Sequence, residues 1–151
     1  MNTAANQAAL LRDALSQALG PSTLINTPDT ALYTTDVYSP GAAPGLVVRP
    51  TTPAQVADAV RISTQAGWAI TQRGGGMSYT GGYLPQRAET VMLDLSALNR
   101  IVSIDEDDLI ITVEAGVTWQ QIWEALTPRG LRLPFFGTFS GSRATVGGGL
   151  S

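Results

Sequence analysis

The residues best placed to do chemistry in this chain are glycines. Thr71 to Gly82 reads TQRGGGMSYTGG, and a second glycine–hydroxyl stretch, GTFSGSRATVGGGLS, runs from Gly137 to Ser151. Around them the usual reagents are missing. The 151 residues include no histidine, cysteine or lysine, and all nine cations are arginine. Thiolate nucleophiles, histidine-based triads and Cys/His metal centres are therefore excluded. A P-loop needs its lysine, and G-x-S-x-G does not occur. The G-x-G-x-x-G dinucleotide fingerprint fails as well. Counted from Gly74, its third glycine position is Tyr79, Gly81, Gly82 and Pro85 follow in place of a helix, and the first strand–helix turn reads RPTTPAQ.

What remains is the main chain. Glycines accept positive φ and let a ligand come close, and successive N–H groups turned into one concavity form an anion-binding nest. A loop of this kind at the carboxyl end of a parallel strand lies where open α/β sheets bind ligands. Ser78 and Thr80 add hydroxyls. A pyrophosphate is the natural guest, and a plain glycine-rich turn is the alternative. The second stretch repeats the chemistry, with Thr138, Ser140, Ser142 and Thr145 beside Gly137, Gly141, Gly147, Gly148 and Gly149. Two such loops suit a ligand long enough to touch both, as a dinucleotide is.

Periodicity supplies the elements that must hold these loops. Ala5 to Leu19 is a helix by the spacing of Leu11, Leu15 and Leu19, stopped by Gly20-Pro21. Residues 26–45 are mostly loop, and Leu46–Val48 is a strand. The next helix has Thr52 as N-cap, Pro53 at its first position, Gln55 completing a capping box and Gly67 as its left-handed stop. Its inner stripe reads Val56, Ala59, Val60 and Ser63. Trp68–Arg73 is the following strand, giving a βαβ unit that delivers the first glycine loop. Thr90–Ser96 is a third strand, and Ile101–Ile104 and Leu109–Val113 flank an acidic turn as a hairpin. A last helix is capped by Thr118 and Gln121, ends at Gly130, and turns Ile122, Ala125 and Leu126 inward with Trp119 or Trp123.

Composition narrows the partners. A net charge of −3 with no basic run argues against nucleic acid. The N-terminus lacks a basic n-region and reads as an amphipathic helix rather than a signal peptide, and no apolar run is long enough to span a membrane. A cytoplasmic protein is expected, with any membrane association peripheral and through other parts. Ending on a functional-looking glycine stretch, the sequence reads as a piece of a longer chain.

VVRPTTPAQVADAVRISTQAGWAITQRGGGMSYTGG, followed by VMLDLSALNRIVSIDEDDLIITVEAGVTWQQIWEAL and SRATVGGGLS, resembles the flavin-binding domain of FAD-linked oxidases, the vanillyl-alcohol oxidase/p-cresol methylhydroxylase superfamily. The resemblance runs from about Ala31 to the last residue. It implies an α+β fold of FAD-binding PCMH type, an α/β subdomain followed by an antiparallel β/α subdomain with FAD between them, incomplete at its C-terminus. Residues 1–30 would be a helix and linker, 31–98 the first subdomain and 99–151 the start of the second. In the first loop Arg73, Gly74, Gly75, Gly76, Met77 and Ser78, with Gly81 and Gly82, would wrap the pyrophosphate. In the second, Thr138, Ser140, Gly141, Ser142, Thr145, Gly147, Gly148 and Gly149 would line it and the approach to the isoalloxazine.

The resemblance also explains the missing nucleophiles, because the cofactor carries the redox chemistry. Some relatives attach FAD through a first-loop histidine where this chain has Met77, so non-covalent FAD is expected here. The implied activity is an FAD-dependent oxidoreductase acting on a hydroxy acid, alcohol or sugar-type substrate, which a later domain would bind; no catalytic residue is assigned. The alternatives are a non-catalytic nucleotide-binding fragment and a cell-wall reductase of the same fold. Several residues admit two roles. Arg73 and Arg143 pair with phosphate or serve as surface anchors, Asp94 anchors a loop or cap, and Asp105–Asp108 form a solvated hairpin tip rather than a calcium loop. Trp119 and Trp123 pack, Tyr79 and Tyr83 sit at the flavin rim, and Phe135 and Phe136 wall the cofactor or join the core.

Overall fold

The computed structural model describes residues 3–26 and 32–151, so the expected boundary at residues 30 and 31 lies outside the described residues. The chain divides into two compact units. The first runs to Arg73 and resumes over Ser78–Asp94; the second comprises Gly74–Met77 and Leu95–Ser151.

The first unit is a four-stranded sheet in the order β1-β2-β4-β3, with β1 at Leu24–Ile25, β2 at Leu46–Val48, β3 at Ala69–Arg73 and β4 at Thr90–Asp94. β2 and β3 each pair with β4 in parallel, and β1 joins β2 antiparallel at the edge. The expected βαβ unit is therefore present, but β4 is inserted between its two strands. Every residue of β2 and β4 is buried, as unbroken apolar runs in a parallel sheet require. β4 is shorter than the sequence suggests, because Leu95–Ala97 turns into a 3₁₀ helix.

Helix α1 (Thr3–Leu19) buries Leu11, Leu15 and Leu19, its i, i+4, i+8 stripe, and packs on α2 (Pro53–Gln65). Thr52 caps α2 by accepting from Gln55 N at 3.2 Å. The Gln55 side chain does not close the box on Thr52. Its Oε1 accepts from Thr51 N at 2.8 Å, and its Nε2 donates to Leu19 O at 2.9 Å, which satisfies an orphan carbonyl at the end of α1. The inner stripe of α2 centres on Ala59 and Ser63; Val60, expected inward, is 37% exposed because it lies one position around the helix.

The second unit holds the antiparallel hairpin β5 (Ile101–Asp105) and β6 (Ile110–Val113), helix α3 (Trp119–Leu126) and the five-residue helix α4 (Val146–Leu150). Arg100 closes the open end of the hairpin, donating from its main-chain N to Glu114 Oε2 at 2.9 Å and from Nη2 to Oε1 at 2.7 Å. At the tip, Asp105 accepts from Asp107 N and Asp108 N at 3.1 and 3.0 Å, the geometry of an Asx turn. The capping box of α3 forms as read: Gln121 N donates to Thr118 Oγ1 at 3.2 Å and Thr118 N to Gln121 Oε1 at 2.8 Å. A 3₁₀ turn, Thr127–Arg129, precedes the left-handed Gly130. The core joins Val117, Ile122 and Leu126 to Ile101, Ile104, Ile111, Val113 and Trp119. Trp123 is 47% exposed, so Trp119 is the inward tryptophan. Among the described residues no helix is long and apolar enough to cross a membrane.

Candidate functional site

The first glycine loop is divided between the units. Gly74 to Met77 belongs to the second unit, where it meets the second glycine motif. A Cβ on Gly75 would stand 1.6 Å from the carbonyl oxygen of Arg143, and one on Gly74 would stand 2.2 Å from Thr145 Oγ1. Neither position has room for any side chain, so the two motifs sit in direct contact. Gly76 is held at φ 71°, a conformation that favours glycine.

The glycine amides of the second motif are largely committed within the fold. In the second, Gly141 N donates to Gly137 O, Ser142 N to Phe139 O, Gly147 N to Ala115 O, Gly148 N to Thr145 Oγ1 and Gly149 N to Thr145 O. Those amides are spent. In the first, the amides of Gly75 and Met77 donate to no described residue. Half-buried main-chain donors on a loop whose Gly74–Gly76 lack Cβ atoms can form an anion-binding concavity. Of the other expected contacts in the second motif, Thr145 is buried and caps α4, Ser142 Oγ donates to Phe139 O, Thr138 is exposed, and Ser140 lies in the 3₁₀ turn Phe139–Gly141. Phe135, Phe136 and Phe139 are 54%, 45% and 60% exposed, so Phe135 and Phe136 are not core, and Phe139 has the strained φ of 51°.

The remainder of the first loop, Ser78 to Gly82, belongs to the first unit and is fastened there by a residue absent from the sequence reading. Asp36 accepts from Ser39 N at 2.6 Å, Tyr38 N at 2.7 Å and Gly81 N at 2.7 Å, while Val37 N donates to Ser78 O at 3.2 Å. The Gly81 amide, expected on the cofactor, is thus committed to Asp36. Gly82 has only Thr80 Oγ1 and Ser78 Oγ near its Cβ position, at 3.7 and 3.8 Å. Tyr79 is exposed beside Tyr38, whereas Tyr83, expected at the rim, is core and donates to Thr35 O at 2.8 Å.

The main-chain donors, those of Ser39 first, hold the Asp36 carboxyl below the usual aspartate range. A folded carboxyl that is the stronger acid stabilises fully above its unfolded pKa and loses that contribution as pH falls through the lower folded value. Amide exchange should therefore show protection at Tyr38, Ser39 and Gly81 disappearing first on acidification, and already absent at neutral pH in Asp36→Ala. Unchanged protection in the variant would refute the clamp.

A second cluster unforeseen in the sequence occupies the carboxyl ends of β2, β4 and β3. Register sets Arg73 opposite Asp94, and Arg49 directly follows Val48, the partner of Leu93. Asp94 is 1% exposed, and its Oδ2 accepts from Tyr33 OH at 2.6 Å and Arg49 Nε at 2.9 Å; Arg49 Nη2 donates to Tyr33 OH at 2.8 Å. Burial, reinforced by the hydrogen bond to Asp94, pushes the Tyr33 phenol up. The Arg73 guanidinium lies over the rings of Tyr33 and Tyr83, 5.1 and 5.5 Å from their centroids. Sequence signals existed, an arginine closing each of two apolar strands and an aspartate closing the third, but Tyr33 sits in a loop without periodicity.

A family model described as an FAD binding domain matches residues 44–151. The chain belongs to that family. Within this FAD-binding domain, the amides of Gly75 and Met77 are donors with no acceptor among the described residues. Over 118 residues the domain is 33% identical to the mitochondrial D-lactate dehydrogenase [cytochrome] 1 of Saccharomyces cerevisiae, covering 77% of this chain and 20% of that protein. Over 91 residues it is 37% identical to the decaprenylphosphoryl-β-D-ribose oxidase of Mycolicibacterium smegmatis, covering 60% of this chain and 19% of that one. Among solved structures, substrate-bound p-cresol methylhydroxylase superposes with a TM-score of 0.78 at 23% identity, over 92% of this chain and 28% of the other. Alkyldihydroxyacetonephosphate synthase gives 0.82 at 20% identity, over 93% and 28%. The fold is thus the PCMH-type FAD-binding fold, and the chain spans about a fifth of the length of these curated relatives.

Proposed function

We propose that the protein carrying this domain is an FAD-dependent oxidoreductase that removes a hydride from a carbon bearing oxygen or nitrogen in a hydroxy acid, alcohol or sugar-type substrate. The observation that carries the cofactor half is the pair of unspent amides at Gly75 and Met77, on a loop that Arg143 and Thr145 hold at van der Waals limits. The substrate half rests on the relatives' names, which include a lactate dehydrogenase, a gulonolactone dehydrogenase and a ribose-lipid oxidase. FAD, when bound, supplies the redox chemistry; this chain binds and orients it through main-chain donors. Substrate contacts and the base belong to a further domain, and the protein is cytoplasmic.

With neither histidine nor cysteine in the domain, FAD is held non-covalently through this segment. The full-length protein is expected to purify yellow and to release all its flavin into the supernatant on acid precipitation. A yellow pellet would overturn the attachment, and a protein that stays colourless after incubation with FAD would overturn the cofactor. Recovery of the flavin in the membrane fraction would count against the compartment.

A further inference from the structure

We infer that Trp119 is a positioning residue for the diphosphate loop, acting through the second glycine motif; this rests on the cofactor reading above. One indole organises most of that motif. A Cβ on Gly137 would stand 2.2 Å from Trp119 Cδ1, one on Gly141 2.6 Å from Trp119 Cβ, and one on Gly149 3.0 Å from Trp119 Cζ2. Phe135 closes the ring edge-on at 4.9 Å between centroids. The motif's glycines are thus spaced to wrap a tryptophan, and the amides of Gly141 and Gly149 are already spent within the motif.

The contact chain from the Trp119 main chain to the loop is short. Trp119 N donates to Ala144 O at 3.2 Å. Ala144 lies between Arg143, whose carbonyl fills the Cβ space of Gly75, and Thr145, whose hydroxyl fills that of Gly74. The bridge Thr118↔Thr145 and the bond from Val146 N to Val117 O, 2.8 Å, zip the same strip to the start of α3. The loop bearing the unspent amides of Gly75 and Met77 therefore leans on a strip that the main chain at the start of α3 holds and that the Trp119 indole brackets at Gly137 and Gly149. Trp119 Nε1 is buried without an acceptor. An unmet buried donor is costly, so the packing of the ring must outweigh it.

The test is calorimetric titration of the full-length protein with FAD and with riboflavin, which lacks the diphosphate, alongside the thermal midpoint of the apoprotein. Trp119→Ala is expected to weaken FAD at least about tenfold while riboflavin changes less than about threefold, at a temperature where the apo variant is folded. Trp119→Phe, which keeps a ring against Gly137 but loses the edge against Gly149, is expected to fall between. FAD affinity within about twofold of wild type in Trp119→Ala, or equal losses for FAD and riboflavin, would reduce Trp119 to a core residue. If Trp119→Ala does not fold, Gly149→Ala carries the test, since its Cβ must displace the indole or α4; there unchanged FAD affinity overturns the inference. A wild-type protein that binds no FAD overturns the cofactor reading, whereas wild-type binding with indifferent variants overturns only the role of Trp119.

Discussion

Gly75→Ala is expected to leave the full-length protein colourless at FAD concentrations that saturate the wild type. The added methyl would lie 1.6 Å from the Arg143 carbonyl oxygen, and a main-chain atom cannot swing aside as a side-chain tip can. Either the loop or the Arg143–Thr145 strip must move, and the proposed diphosphate site rests on both. Overpacking of this kind costs about 1–3 kcal/mol and more against a rigid neighbour, so affinity should fall about 100-fold. Gly74→Ala is a milder case, because its methyl meets Thr145 Oγ1 at 2.2 Å, a side-chain atom. Adding Thr145→Ala to it makes room and should restore part of the affinity, although α4 then loses the cap that Thr145 gives Gly148 N. Isothermal titration with FAD decides the matter, and a Gly75→Ala protein that binds like wild type would sink the geometry. An alanine at Gly82 probes the other reason for glycine. Among the described residues beyond its chain neighbours, no atom comes closer to its Cβ position than 3.7 Å, so affinity lost there reports ligand contact.

That contrast marks what the sequence could and could not reveal. Glycine clustering pointed to a main-chain anion site, and the sequence reasoning explained it by ligand approach. At Gly74 and Gly75 the space is instead taken by the second motif, a long-range contact that no local pattern encodes. The same holds at Gly137, Gly141 and Gly149, whose shared partner is Trp119 on α3. Elements with local rules were legible: the Thr118–Gln121 box, the buried run of β4, and the leucine stripe of α1. Where a tertiary partner outbid the local rule, the reading slipped. Gln55 reached past Thr52 to cap α1 at Leu19, and β4 entered the sheet between the strands of its own βαβ unit. Asp36 carries no sequence signal at all, since its value lies in three amides, one of them far away at Gly81.

Asp94→Ala is expected to be the most damaging substitution in the first unit. Its carboxylate is 1% exposed at the end of the central strand, and it accepts from Tyr33 OH and Arg49 Nε. Removing it leaves a phenol and a guanidinium oriented toward an acceptor that is gone, and breaking one side of a buried pair costs about 3–5 kcal/mol. The Arg49 side chain is 43% exposed and can be rehydrated in part, which favours the lower end, about 3 kcal/mol. For a domain of this size that is a fall in midpoint of about 6–12 °C. Tyr33→Phe should cost less, about 1 kcal/mol, because Arg49 still satisfies the carboxylate. The decisive measurement is the double variant Arg49→Ala/Asp94→Ala. Losing both charges removes the uncompensated ion that makes each single change expensive, so the double should cost less than the sum of the singles by at least about 1 kcal/mol. Strict additivity in denaturant unfolding would mean that Arg49 and Asp94 stabilise the sheet independently, and the cluster would not be a coupled unit.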